Sequence, residues 1–140
     1  THFKRDGREV WQELRVEAIK ERQSWGVETE VWKIEGLTTR ENYLKVVEKA
    51  QLNTRNHVSL IVLGRGENRE TIEQWLSTAA TTPGFIGFAC GRTIWEKTLK
   101  EFKAEKISLS VAMTEIATTF KFFCDLWIRV KPINEPYKSD

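Results

Sequence analysis

The chain has 140 residues, of which 40% are hydrophobic and 30% are charged, and its formal net charge is +2. This size and composition are typical of one globular domain with its own core, and the near-neutral charge excludes nucleic acid and membrane surfaces as expected partners. The two cysteines, Cys90 and Cys124, lie in apolar runs and no secretory segment is recognised, so we expect free buried thiols and a cytoplasmic protein.

Three elements are predicted in the first third of the chain. Apolar spacing predicts a helix over residues 8–25, ended by Gly26, and a β-favouring run covers residues 29–37. A capping box of Thr38 and Glu41 then opens a helix that runs to about residue 52. The residues expected on the buried faces of these helices are Val10, Trp11, Leu14, Ala18 and Ile19 in the first and Tyr43, Leu44, Val47 and Ala50 in the second.

The rest of the chain continues to alternate. Residues 57–63, HVSLIVL, and 85–90, FIGFAC, are predicted strands, and a helix over residues 69–80 separates them. A further helix runs to about residue 104, and a last one covers residues 108–128 ahead of a polar tail at 131–140. The last helix contains acidic and basic residues, so its pattern is that of an amphipathic helix and not of a membrane span. Its apolar face is expected to consist of Ala112, Ile116, Phe120, Phe123 and Trp127.

Strands that alternate with helices indicate parallel strands joined by right-handed crossovers. Three strands are too few for a closed (β/α)8 barrel, which needs eight strands and about 250 residues. The chain is therefore expected to be either a small three-layer α/β sandwich or part of a larger fold. Its start at Thr1, without an initiator methionine, favours a larger parent.

The two faces of the predicted strands differ in character. In the first strand Lys33 and Glu35 share a face with Val31, and Trp32 and Ile34 lie on the other. In the third strand Ile86, Phe88 and Cys90 are expected on the helix side, opposite Phe85, Gly87 and Ala89. A sandwich covered on both faces has no place for an inward Lys and Glu, whereas the interior of a barrel does. The sequence thus favours a single partial domain, 1–140, that forms the C-terminal half of a (β/α)8 TIM barrel.

Charged residues and glycines cluster where the predicted strands end. Lys33 and Glu35 end the first strand, Gly64-Arg65 follows the second, and Gly91-Arg92 follows the third. In parallel α/β folds the functional site lies at this end of the sheet. A glycine before a helix opens the backbone to an anion, and an arginine adds a fork of donors, so the two Gly-Arg turns predict phosphate binding.

The stretch FIGFACGRTIW, residues 85–95, resembles the eighth strand and turn of class I tagatose-bisphosphate aldolases. It is even more similar to the aldolase-like domain fused to the kinase of myo-inositol catabolism. EVWKIEG, residues 30–36, and VLGRGE, residues 62–67, look like the sixth and seventh strands of those families, although the first family has a small serine-glycine turn where Arg65 stands here. The resemblance covers most of residues 29–128.

This resemblance implies a Schiff-base aldolase acting on a phosphorylated sugar or a deoxy-keto-sugar acid, without metal or cofactor. Lys33 would attack the ketose carbonyl, Arg92 with Gly91 would bind a substrate phosphate, and Gly64 with Arg65 would complete the cradle. Glu35 would orient the lysine or relay a proton. In such barrels earlier strands supply a second lysine and the acid/base carboxylate, so this chain alone is expected to be inert.

Other interpretations stay open. Lys33 could pair with Glu35, Arg92 with Glu96, and Arg65 could be merely solvated. A second functional class is a non-catalytic phosphosugar-binding module, or a half-barrel that associates with another copy or with a missing N-terminal half through its open strand edge. A flavodoxin-like nucleotide binder is disfavoured because no G-x-G-x-x-G turn follows the first strand.

Overall fold

The computed structural model describes residues 7–131, except for the side chains at positions 7–9, 11 and 12. The predicted tail lies outside this range apart from Lys131. The elements alternate as expected: α1 (Gly7–Ser24), β1 (Val31–Glu35), α2 (Arg40–Ala50), β2 (Ser59–Leu63), α3 (Arg69–Ala80), β3 (Phe85–Ala89), α4 (Arg92–Lys103) and α5 (Leu109–Val130).

The strands form one parallel sheet in the order β1-β2-β3. The chain moves across the sheet in the same direction from β1 to β2 and from β2 to β3. Because connections between parallel strands are right-handed, α2 and α3 lie on the same face of the sheet. The α/β class with three parallel strands and flanking helices is therefore confirmed.

The core lies between the sheet and this helical layer. Leu60 and Val62 of the middle strand are fully buried, and Ile34 of β1 is 7% exposed. Val46 of α2 and Ile72 and Leu76 of α3 belong to the same buried cluster and cover these strand residues. On β3, the Phe88 ring contacts three aromatic rings of α5, those of Phe120, Phe123 and Trp127. These contacts hold the last helix beside the outer strand.

The opposite face of the sheet is accessible. It carries Lys33 with exposed Val31 on β1, and half-buried Ile61 and Leu63 on β2. On β3 the small residue Gly87 occupies this face, since a Cβ atom there would have only Ile61 nearby, at 4.0 Å. The predicted difference between the two strand faces is thus present.

Two predicted details of β3 are wrong. Phe85 is 3% exposed and belongs to the core, whereas Ile86 is 54% exposed. The cause is an irregularity in the β2–β3 register between Leu60 and Ile61, which adds one residue to β3 and reverses the side on which its first residues lie. From Gly87 onward the predicted alternation holds.

Two predicted helix faces also need correction. In α1, Ile19 is buried as predicted, but Leu14 is 51% exposed and Val10 and Ala18 are also exposed; the predicted Trp11 side chain lies outside the described ones. The other inward positions are Arg15, Val16 and Gln23. The Gln23 amide reaches α2 and donates to the carbonyls of Lys49 and Ala50, which explains why this polar face points inward.

In α2, Leu44 is 39% exposed and Val46 is buried in its place. Its N-cap is Thr39, one residue later than predicted, and the Thr39 hydroxyl accepts a hydrogen bond from the Asn42 amide. In α5, Phe120 is 52% exposed although it belongs to the predicted face. Within residues 7–131, no helix has the length and hydropathy needed to cross a bilayer.

Candidate functional site

Lys33 lies on the accessible face of β1, opposite the helical layer. It is in register with Ile61 of β2, and its side chain is exposed. Among the residues that the structure describes, the Lys33 amino group forms neither a hydrogen bond nor an ion pair. The lysine is therefore available to a ligand that approaches this face.

Glu35, two residues further on the same face, is held by two arginines. Its Oε2 atom lies 2.9 Å from Nη2 of Arg15 in α1 and 3.0 Å from Nη1 of Arg65 in the turn after β2. Partial burial alone would raise the pKa of Glu35, but hydrogen bonds and attraction from Arg15 and Arg65 outweigh it and lower this pKa below its usual value. The carboxylate is thus paired with arginines and not with Lys33.

The turns after β2 and β3 are bound to each other. Nη2 of Arg92 donates to the main-chain carbonyl of Arg65 over 2.7 Å, and the Thr93 hydroxyl donates to the carbonyl of Glu67 over 2.7 Å. Arg65 and Gly66 have φ angles of 53° and 81°, in the left-handed region that favours glycine. A Cβ atom on Gly66 would lie 3.1 Å from the Arg92 guanidinium carbon. The glycine therefore permits the close approach of Arg92.

The N-terminus of α4 has no side-chain cap. Its N-cap residue is Gly91, which makes no capping hydrogen bond, whereas Asn68 caps α3 and Ser108 caps α5 through their side chains. Arg92 does not pair with Glu96, whose carboxylate accepts from Lys100 at 3.0 Å. The unsatisfied N–H groups at the start of α4 and the neighbouring arginine suit an anion.

Gly64 and Cys90 pack against each other on the helix side. A Cβ atom on Gly64 would lie 2.8 Å from the Cys90 sulfur and 3.1 Å from Ile72, so packing alone requires glycine here. Burial raises the pKa of the Cys90 thiol to about 11. Cys90 therefore serves as a core residue, as its position in the strand predicts.

Tyr43 fixes the end of β1. Its buried hydroxyl accepts from the Leu37 amide over 3.0 Å and donates to the Trp75 carbonyl over 3.2 Å. The Trp75 ring lies over Gly36, where a Cβ atom would come within 1.8 Å of it. These contacts join the segment after Glu35 to α2 and α3 and hold it against them.

Of the predicted site residues, Glu35, Arg65 and Arg92 are linked directly or through the backbone of Arg65, and Lys33 lies beside Glu35 on the same face. Sequence reasoning missed Arg15, since it lies on α1 and nothing in the helix pattern indicates a partner on β1. No group of His, Cys, Asp and Glu within the described part of the chain could hold a metal ion.

The fold and this cluster define an α/β protein of parallel βα units, with cationic turns meeting at the carboxyl end of the sheet. Over residues 4–131 the chain matches the family described as "Uncharacterized protein conserved in bacteria (DUF2090)", and it belongs to that family. No curated protein and no solved structure gives a significant match.

Proposed function

We propose that the chain is the C-terminal half of a (β/α)8 barrel of the class I aldolase type, with Lys33 as its Schiff-base residue. The sequential parallel order of the strands and the helices on one face support this arrangement. The accessible face would then line the barrel interior, and the missing strands would come from an N-terminal half. The chain would act in the cytoplasm on a phosphorylated sugar or a deoxy-keto-sugar acid.

One observation carries the proposal. Lys33 is the third of the five residues of β1 and lies on the accessible face, where its amino group has no partner among the described residues; Arg92 ties the turns after β2 and β3 together at the carboxyl end of the same sheet. A ketose phosphate needs an amine that attacks its carbonyl carbon and a cationic turn that binds and orients its phosphate group.

In the proposed reaction the Lys33 amine adds to the ketose carbonyl and water leaves, which gives a protonated imine. The bond between the α- and β-carbons of this imine then breaks as a base takes the proton of the β-hydroxyl. Its electron pair forms the enamine, and the β-carbon departs as an aldehyde. Protonation of the enamine carbon and hydrolysis release the second product and restore the amine. The base that removes the hydroxyl proton and the second lysine would come from the N-terminal half.

The phosphate would bind at the start of α4. A guanidinium group has five N–H donors, and Arg92 uses one of them on the Arg65 carbonyl. Arg65 is 63% exposed and is likewise held at one end, by Glu35. Both arginines are thus oriented by the protein and keep donors for a ligand, which lowers the entropic cost of binding.

A trapping experiment tests the proposal. The protein, expressed at the full length that its gene encodes, is incubated with dihydroxyacetone phosphate and sodium borohydride, which reduces an imine to a stable secondary amine. Peptide mass spectrometry should find the adduct at Lys33 and lose it in Lys33→Ala. Lys45→Ala, which removes an exposed lysine of α2, should keep it. Absence of an adduct over a panel of ketose phosphates and deoxy-keto-sugar acids would refute the aldolase function.

A second candidate is a non-catalytic phosphosugar-binding module that associates with itself. It is favoured by apolar side chains that remain exposed at the β3 side of the sheet: Ile86 is 54% exposed and Phe120 is 52% exposed. Sedimentation analysis decides this candidate, since a stable monomer at high concentration contradicts it. Phe120→Glu should dissociate the oligomer if the candidate is right.

A further inference from the structure

A groove of about 490 Å³ separates α1 from β1, and Lys33 forms part of its wall. The charged residues that line it are Arg15 and Arg22 from α1 and Lys33 and Glu35 from β1. Arg65 reaches the same carboxylate from the turn after β2. The residues of β2 that share the accessible face, namely Ser59, Ile61 and Leu63, carry no charge. Among the residues that the structure describes, Glu35 is therefore the single acidic group that lines this groove.

Lys33 and Glu35 point to the same face two residues apart, which separates them by about 7 Å along the strand. An unrestrained carboxylate at that distance is close enough to form an ion pair with the lysine, which would occupy its amino group. Instead, Arg15 holds the Glu35 carboxylate at 2.9 Å, with side-chain exposures of 21% for Arg15 and 23% for Glu35. Arg65 is more exposed, at 63%, so Arg15 is the better shielded of the two partners.

We propose that Arg15 is a positioning residue for Lys33. By holding the Glu35 carboxylate against α1 at 2.9 Å, Arg15 withholds it from the lysine, whose amino group stays available to a carbonyl group. The inference rests on the proposed role of Lys33 as the Schiff-base amine and extends the site to α1, an element outside the stretch that resembles the aldolases. Arg15 acts through Glu35 and contacts no substrate.

The test measures the reactivity of individual lysines and needs no substrate. The protein is pulse-labelled with acetic anhydride across a pH series, and the modification of each lysine is read by peptide mass spectrometry. Lys97, whose side chain is 89% exposed, serves as the internal reference. The measured quantity is the pH midpoint of Lys33 labelling relative to that of Lys97.

Substitutions of Arg15 and of Glu35 are expected to shift the Lys33 midpoint in opposite directions. Arg15→Met removes a cation and leaves the Glu35 carboxylate held only by the more exposed Arg65, so the Lys33 midpoint should rise by about 0.5 pH units. Glu35→Gln leaves two cations without their counter-charge and should lower the midpoint by about the same amount. The double variant Arg15→Met/Glu35→Gln should return close to the wild-type midpoint. Arg15→Lys keeps the charge and should stay near wild type.

Arg55→Met is the matched control, because it breaks another arginine–carboxylate pair, with Glu28, and should leave Lys33 unchanged. If Arg15 has only a structural role, Arg15→Met and Glu35→Gln should shift the Lys33 midpoint equally in the same direction or not at all, and either result overturns the proposal. If Arg15→Met does not fold by circular dichroism, an unchanged midpoint in Glu35→Gln overturns it equally. Failed borohydride trapping would remove the aldolase function and leave these midpoint shifts intact, so the two failures are distinguishable.

Discussion

The Arg92 guanidinium donates to the main-chain carbonyl of Arg65 over 2.7 Å, so a side chain at the start of α4 holds the turn that follows the neighbouring strand. This contact gives Arg92 two roles, one in the structure of the turn and one in the charge of the proposed phosphate site. The two roles can be separated by substitution.

Arg92→Met should abolish the stabilisation of the protein by inorganic phosphate. In the wild type, phosphate should raise the midpoint of thermal unfolding in a concentration-dependent way, because a ligand that binds only the folded state stabilises it. Arg92→Lys should keep part of the effect, since it keeps the charge and loses the planar fork. The measurement is a thermal-shift titration with phosphate, with sulfate and chloride at matched ionic strength.

Arg40→Met is the control for this titration, because Arg40 is also exposed and also donates to a main-chain carbonyl, that of Thr81. It should leave the phosphate effect intact. Equal responses of Arg92→Met and Arg40→Met would contradict a phosphate site at Arg92.

Tyr43→Phe should lower the free energy of unfolding by about 1–3 kcal/mol, because it leaves the Leu37 amide and the Trp75 carbonyl without their partner in a buried place. The ring itself stays and keeps its edge contact with Phe85 at 5.0 Å. Urea unfolding followed by tryptophan fluorescence measures the loss. A change below about 0.3 kcal/mol would show that water replaces the hydroxyl without cost.

Gly36→Ala should destabilise the protein by about 1–3 kcal/mol, since the new methyl group would lie within 1.8–2.3 Å of three Trp75 ring atoms and the indole would have to move. Gly87→Ala is the matched control, because its methyl group would meet only Ile61 at 4.0 Å. In a Trp75→Leu background the effect of Gly36→Ala should shrink, and a double-mutant cycle measures this coupling. Additive effects of the two substitutions would contradict the clash.

Stability should fall as the pH rises above 10. Burial raises the pKa of Tyr43 from 10.0 to about 12. As the pH rises, the unfolded chain therefore loses the phenolic proton first, and between these two pKa values the folded state binds more protons than the unfolded state. The stabilisation is complete below pH 10.0 and is lost as the pH rises towards 12, by an amount on the order of 2 kcal/mol. Tyr43→Phe should flatten this part of the profile. Equally steep profiles in both proteins, from urea unfolding at pH 9 to 11.5, would refute it.

Much of the fold follows from local patterns. The bounds of α3, Arg69–Ala80, agree with the prediction, because Asn68 caps it and the break at Pro83-Gly84 follows it closely. The parallel strands follow from the alternation of elements. The side on which Phe85 lies does not, because it depends on a register irregularity with β2 that no pattern within β3 encodes. The predicted face of α1 was right at Ile19 and wrong at Leu14 for a similar reason, since the inward position of Arg15 is explained only by a carboxylate on another element.

At the site, the sequence indicates the Gly-Arg turns and the position of Lys33, since both depend on strand ends and on alternation. It does not indicate which charges pair. Glu35 has Lys33 two residues away in the chain and instead binds arginines 20 and 30 positions distant, and only the tertiary arrangement of α1 and the β2 turn selects between these partners.

The order of strands across the sheet is the order in which they are synthesised. β2 therefore finds β1, and β3 finds β2, already synthesised when each of them leaves the ribosome. The sheet can then assemble from its N-terminal strand onward, as β2 pairs with β1 and β3 then pairs with β2. Inserting a new βα unit between existing ones would interrupt this sequence of events, whereas adding one before β1 or after β3 would prolong it.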